Sequence, residues 1–346
     1  MALSVEIRKK LGNFQLDVQF EAGQETMALL GASGCGKSVT LRCIAGLLTP
    51  DEGRIVLDGT TLYDSAAGIN LPPQKRRVGY LFQQYALFPH MTVRQNIAAA
   101  VLDKQQREAV AAKKLRQFHL EGVAEQTPHQ LSGGQQQRTA LARILASSPT
   151  VLLLDEPFSA LDSSLKDQLE LDLSKTLEAF FGTILWVSHD RGEVFRNCRR
   201  VCVLDQGKSQ GIYTPQSLLH QPATEAAARL SGCSNFTDAV PRGKSVYLPE
   251  WGVEWDCNRK VPARVRRVGI RAQHVVAAGK DSKNTVSCTI MRVVQDASTT
   301  IVFLHPDHAA SDAVPLRMEL PHEAWQAFAD QRFLTITVDP DHLLLF

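Results

Sequence analysis

The sequence predicts an α/β protein: a phosphate-loop core of parallel strands with a helical insertion, followed by a small all-β unit. Three observations predict it. Residues 26–38, TMALLGASGCGKS, carry an apolar run straight into a glycine-rich loop and a helix start. Residues 150–157, TVLLLDEP, and 182–190, GTILWVSHD, are short unbroken apolar runs, the pattern of strands buried on both faces. Beyond about residue 232 the texture changes to short alternating runs separated by turn formers.

Taken in order, the first ten or so residues alternate weakly. The run at 26–30 is a buried strand, and SVTLRCIAGLL (38–48) is the helix after the loop. TPDEGRIVLDGTTL (49–62) supplies turn residues and a short strand; RRVGYLFQ (76–83) is an apolar strand ending at Gln83. From about 92 to 146 the pattern is helical, with NIAAAV, KQQREAVAAKKLRQF and LSGGQQQRTALARIL. Strands alternating with helices indicate a parallel core, here with an insertion over about 84–146. SGCSNFTDAVPRGKS (231–245) reads as a linker or domain entry. TVSCTIMRVV, TTIVFLHP and FLTITVDPDHLLLF read as strands of a module of about a hundred residues. The expected domains are 1–232 and 233–346.

The chain has 346 residues, 44% hydrophobic and 21% charged, with a net charge of +2, so charge alone does not argue for wholesale nucleic-acid binding. The opening MALSVEIRKKLGNF lacks the apolar core of a signal peptide, and no apolar run approaches bilayer length. A chain that stays in the cytosol, docked on a membrane protein, is expected. Seven scattered cysteines form no disulfide framework, and Cys198 and Cys202 read as reduced core thiols. Cys35 lies in the phosphate loop, where backbone amides and Lys37 could lower its pKa and make it reactive.

GASGCGKS fits G-x-x-x-x-G-K-[ST] in its strand-to-helix context. The backbone of Gly31, Ala32, Ser33, Gly34, Cys35 and Gly36 would cradle phosphates. Lys37 would reach the terminal phosphates, and the Ser38 hydroxyl would ligate Mg²⁺. Asp155 and Glu156 end an apolar strand and point apart, which divides their labour. Asp155 suits the Mg²⁺ shell, through a water, and Glu156 suits orienting or deprotonating an attacking water. Gln83 and His189 each follow an apolar strand; Gln83 would stand near metal and water, and His189 could donate to a γ-phosphate. Residues 131–145 add a second anion-facing helix start about a hundred residues after the first.

The order phosphate loop, Gln83, LSGGQ, LLLDEP, SALD, His189 resembles the ATP-binding-cassette ATPases over about residues 1–232. The resemblance implies ATP hydrolysis with Mg²⁺ in a head-to-tail homodimer. In it Ser132, Gly133, Gly134 and Gln135 face the nucleotide of the other copy, and Asp162 links the two composite sites. A helix start carries roughly half a positive charge, so its gain from closing depends on the γ-phosphate. The resemblance also implies an aromatic stacked on adenine. Phe14 is the candidate, with Phe20 in competition and a core role for Phe14 equally open.

A single LSGGQ-bearing segment, no heptad run and a β-rich tail resemble importer motors with an OB-like, TOBE-type domain. That implies a peripheral protein on the cytoplasmic face, two transmembrane permease subunits, an external solute-binding protein acting indirectly, and no nucleic acid. GINLPPQKRRVGYLFQQYALFPHMTVRQNI and VGIRAQHV resemble the oxyanion branch, molybdate before sulfate or thiosulfate. Importers of sugar, polyamine or iron are the alternatives, and a soluble mechanical ATPase of the same family ranks below them. Tyr85 and Phe88 are expected either on the permease-facing surface or in the insertion's own core. Arg264, Arg266 and Arg267 are expected on a solvated strand face rather than in an anion pocket.

Overall fold

A computed structural model describes residues 2–158, 163–279, 282–311 and 313–346. The chain divides into two compact units, Met1–Gln216 and Ser217–Phe346.

The first unit is built on β1 (Leu3–Leu11), β2 (Phe14–Ala22), β3 (Thr26–Leu30), α1 (Lys37–Ala45), β4 (Glu52–Leu57), β5 (Thr60–Asp64) and β6 (Ile69–Asn70). It continues with β7 (Val78–Leu81), α2 (Val93–Ala99), α3 (Arg107–Gln117), α4 (Gly133–Ala146), β8 (Val151–Asp155) and α5 (Ser163–Glu178). β9 (Thr183–Val187), α6 (Arg191–Asn197), β10 (Arg200–Asp205) and β11 (Lys208–Tyr213) complete the sheet. Its order is β6-β5-β4-β1-β2-β11-β10-β3-β9-β8-β7. Strands β10, β3, β9, β8 and β7 run parallel, and β8 and β9 are buried along their whole length. The loops after β3, β7, β8 and β9 therefore leave one edge of the sheet side by side, where open α/β sheets bind ligands.

The helix expected over 38–48 stops earlier. Gly46 adopts φ 78 and its N–H caps the carbonyls of Arg42 and Cys43. A Cβ there would lie 2.6 Å from Arg76 Nε. Arg76 is 1% exposed and donates to the carbonyls of Cys43 and Ile44, at the negative end of α1. Helices α2, α3 and α4 form the insertion.

The second unit holds the short helices α7 (Pro215–His220), which straddles the division, and α8 (Glu225–Leu230). Of the linker or domain entry expected at 231–245, the segment is the latter, with β12 (Asn235–Asp238) and β13 (Val240–Arg242) inside it. Asn235 explains the first of these: its side chain exchanges hydrogen bonds with the backbone of Arg317, donating at 2.8 Å and accepting at 2.6 Å. β14 (Ser245–Leu248) and β15 (Val253–Asp256) complete a small sheet with β13, and β16 (Arg267–Ile270) pairs with β12. β17 (Val275–Ala277), β18 (Thr285–Gln295), β19 (Thr299–Pro306), β20 (Leu316–Pro321) and β21 (Phe333–Val338) form a five-stranded sheet. Its order is β17-β21-β18-β19-β20, with the two edge strands near each other, so the sheet is a nearly closed barrel. Trp251, Trp255 and Trp325 fill its core.

The division falls at Gln216/Ser217, ahead of the boundary expected at 232/233. Arg271, 7% exposed, gives a physical reason: its guanidinium donates to the carbonyls of Leu219 and Ser231. That ties residues 217–232 to the barrel unit.

Candidate nucleotide site

The phosphate loop is shaped by glycines that have no room for a side chain. Gly31 would place a Cβ 2.3 Å from the Leu204 carbonyl oxygen, and Gly36 turns through φ 103 beside Leu16 and Phe14. Lys37 is 7% exposed, and its ammonium donates to the carbonyls of Gly31 at 2.7 Å and Ala32 at 2.9 Å. The amine is thus anchored inside the cradle that its own loop forms.

Strand pairing brings the remaining groups together. Ser38 Oγ donates to Asp155 Oδ1 at 2.9 Å, joining the start of α1 to the end of β8. The hydroxyl of Tyr80, from the neighbouring β7, donates to Asp155 Oδ2 at 2.7 Å. Burial pushes the Tyr80 phenol up, and the bond to Asp155 adds to this, so it stays a donor. Glu156 follows with φ 48, a left-handed conformation that costs a non-glycine residue about 1–3 kcal/mol. Its N–H donates to the Val187 carbonyl. The carboxylate then lies between two neighbours: Gln83 Nε2 donates to Oε2 at 3.3 Å, and His189 Nδ1 stands 3.6 Å from Oε1. Asp155, Glu156, Gln83 and His189 come from three adjacent strand ends. A hydroxyl, a carboxylate and an amide oxygen make an all-oxygen donor set, which suits Mg²⁺.

The profile of the ABC transporter family matches residues 14–159. The molybdenum import ATP-binding protein ModC of Rhizobium etli is 37% identical over 285 residues, covering 80% of each chain. The chain belongs to the ABC transporter family. The spermidine/putrescine import ATP-binding protein PotA of Nitratidesulfovibrio vulgaris is 40% identical over 247 residues, 68% of this chain and 65% of its own length. The putrescine transport ATP-binding protein PotG of Escherichia coli is 42% identical over 220 residues, with 57% of its length covered. The chain thus spans less than two thirds of these two polyamine relatives. The cassette MJ0796, solved as a dimer in a post-hydrolysis state bound to ADP and Pi, superposes with a TM-score of 0.52 at 30% identity. That match covers 62% of this chain and 99% of MJ0796.

In this ABC chain the LSGGQ segment forms a reciprocal cap on α4. Ser132 Oγ accepts from the Gln135 N–H at 3.3 Å, and the Ser132 N–H donates to Gln135 Oε1 at 2.9 Å. The Gln135 side chain, expected at the nucleotide of a second copy, is thus engaged in its own helix cap. Gly133 opens the helix, and Gly134 is buried where a Cβ would stand 3.0 Å from Leu169. Asp162 lies outside the described residues.

Phe14, half-buried at the start of β2, would lie 3.1 Å from a Cβ on Gly36, so its ring flanks the loop. Phe20 is buried in the core. Cys35 departs from the expected reactive thiol. It is buried, and burial pushes its pKa up against the opposing pull of Lys37. Cys198 and Cys202 are buried and free, with thiols likewise raised by burial. Tyr85 is buried inside the insertion, whereas Phe88 is 47% exposed with the Arg143 guanidinium 5.1 Å from its ring centre. Of the tail arginines, Arg264 is exposed, Arg266 donates to the carbonyls of Ala263 and Val265, and Arg267 pairs with Glu225 at 3.2 Å.

Three supporting groups have no signature in the sequence. Tyr80 reaches Asp155 only because β7 pairs with β8. Gln137 Nε2 donates to the Pro157 carbonyl at 3.2 Å, linking α4 to the chain just after Glu156. Beyond His189, Lys166 bridges Asp190 at 2.6 Å and the buried Glu193 at 2.7 Å. Burial works to raise the Asp190 carboxyl, but Lys166 and the amides of Gly192 and Glu193 hold it below its ordinary value.

Proposed function

We propose that this chain is the ATP-hydrolysing motor of an ABC importer, peripheral on the cytoplasmic face of a membrane and docked on two permease subunits. The observation that carries the reading is the Glu156 carboxylate held between Gln83 and His189, beside the Ser38–Asp155 pair. Residues 31–36 bind the phosphates through their amides, and Lys37 exchanges its carbonyl partners for phosphate oxygens. Glu156 orients the attacking water and accepts its proton, while His189 donates toward the γ-phosphate. Ser38, Gln83 and, through water, Asp155 would hold Mg²⁺, which would supply charge neutralisation at the phosphates. Phe14 stacks on adenine.

Two copies pair head to tail, so that Ser132, Gly133 and Gly134 of one close over the nucleotide held by the other, and Asp162 joins the two sites. The solved dimer of MJ0796 supports this reading. Glu156→Gln tests the chemistry. It is expected to bind ATP, accumulate as a closed dimer and lower kcat at least about 100-fold. Normal turnover would refute the role of Glu156.

For the cargo, an oxyanion, molybdate before sulfate, is favoured by the ModC relative, whose match covers 80% of both chains. On this reading the tail is an OB-like domain of the TOBE type. A polyamine is the second reading, favoured by PotA and PotG relatives of 40% and 42% identity. Uptake of labelled molybdate, sulfate, putrescine and spermidine in a deletion strain distinguishes them. The oxyanion reading falls if only polyamine uptake is lost.

A further inference from the structure

Gln83 is followed by a strained turn, in which the Tyr85 N–H donates to the Phe82 carbonyl at 2.9 Å and the Ala86 N–H to the Gln84 carbonyl at 2.6 Å. Tyr85 and Ala86, neither of them glycine, are both left-handed, with φ 58 and φ 47. A further restraint on this turn comes from α4, the helix capped by Ser132. Arg143 Nη2 donates to the Tyr85 carbonyl at 3.2 Å, and Nη1 donates to Asn96 Oδ1 at 3.4 Å. The same guanidinium lies over the Phe88 ring, 5.1 Å from its centre. Asn96, fully buried, fixes the far end of the turn: its oxygen accepts the Phe88 N–H, and its amide donates to the carbonyls of Phe88, Met91 and Thr92.

Arg143 is an expensive choice for packing alone. It is half-buried, burial pushes its pKa down, and its partners among the described residues are two neutral oxygens and an aromatic ring. A partly desolvated cation with no carboxylate beside it recovers little of its lost hydration from neutral oxygens. A planar fork is needed only where several directions must be held at once.

We propose that Arg143 is a positioning residue for ATP hydrolysis, clamping the strained turn after Gln83 so that the Gln83 amide meets Glu156. The clamp joins the signature helix to the water-orienting carboxylate by a chain of contacts: α4, Arg143, Tyr85, Gln83, Glu156. It rests on the ATPase reading given above. Arg143 acts through the turn and through Asn96, not on the reacting groups themselves.

The test is a double-mutant cycle on the full-length protein. Arg143→Met is expected to lower kcat about 10- to 100-fold, the loss that follows a misplacement near 1 Å. ATP affinity, set by residues 31–38, is expected to stay within about twofold, and the melting temperature to be unchanged or higher. In a Gln83→Ala background, Arg143→Met is expected to add no further loss, because the group it positions is gone. A wild-type kcat in Arg143→Met, or losses that multiply with those of Gln83→Ala, overturns the proposal. If the methionine variant does not fold, Arg143→Lys is read by the same cycle, since a point donor cannot bridge carbonyl, amide and ring. Absence of ATP turnover in the unaltered protein would instead overturn the ATPase reading itself.

Discussion

Gly31 shows how little freedom the phosphate loop has. Its α-carbon faces the Leu204 backbone on β10, the strand next to β3, so an added methyl would meet a carbonyl oxygen rather than a movable side chain. Gly31→Ala is therefore expected to cost at least about 2 kcal/mol in chemical denaturation and to lose ATP binding with it. A variant of normal stability and affinity would mean that the strand pair can open without harm. The G-x-x-x-x-G-K-[ST] spacing made this loop readable from residue types alone, because phosphate binding needs amides that no Cβ obstructs. The environment of Cys35 was not readable in that way. Its neighbour Lys37 suggested an activated thiol, but burial in the core of the unit outweighs that charge.

Helices α5 and α6 are joined by ion pairs that carry no motif. Glu170, 8% exposed in its side chain, receives both arms of the Arg196 guanidinium at 2.8 Å and a bond from Asn197. Arg196 holds the Glu170 carboxyl below its ordinary value of 4.5, with Asn197 assisting. A depressed carboxyl stabilises the fold above its unfolded-state value, and that stability is lost as pH falls through the folded-state value. Stability is thus expected to decline as pH drops below about 4.5. Glu170→Gln should flatten that decline and cost about 1–2 kcal/mol at neutral pH, modest because Arg196 is more than half exposed. Urea melts of both proteins between pH 3 and 7 check it, and parallel pH profiles would remove the assignment. Because Asp190, just after His189, caps the start of α6, this pairing also steadies the segment that carries the histidine.

The proposed pairing of two copies has a consequence for the whole assembly. Ser132 caps its own helix, yet its role in catalysis would be exerted on the nucleotide of the other copy. Ser132→Arg is therefore expected to leave ATP affinity of the isolated chain within about twofold. Steady-state hydrolysis should fall at least about 100-fold, since closure over the γ-phosphate is blocked. Mixing it with excess Lys37→Ala chains, which keep an intact Ser132 but a damaged loop, should restore one working site per mixed pair. Failure of that complementation would argue that each chain works alone.

The phosphate loop, the Asp155–Glu156 pair and the LSGGQ helix start could all be read from the chain, since each is a local run whose chemistry depends on spacing along the backbone. The parallel character of β3, β8 and β9 was legible for a similar reason, as unbroken apolar runs imply cover on both faces. Folding was required to show that Tyr80 reaches Asp155, that Tyr85 turns inward, and that residues 217–232 group with the barrel through Arg271. These contacts join residues far apart in the chain, and no local pattern records which strand ends lie side by side or which carbonyl a distant guanidinium meets.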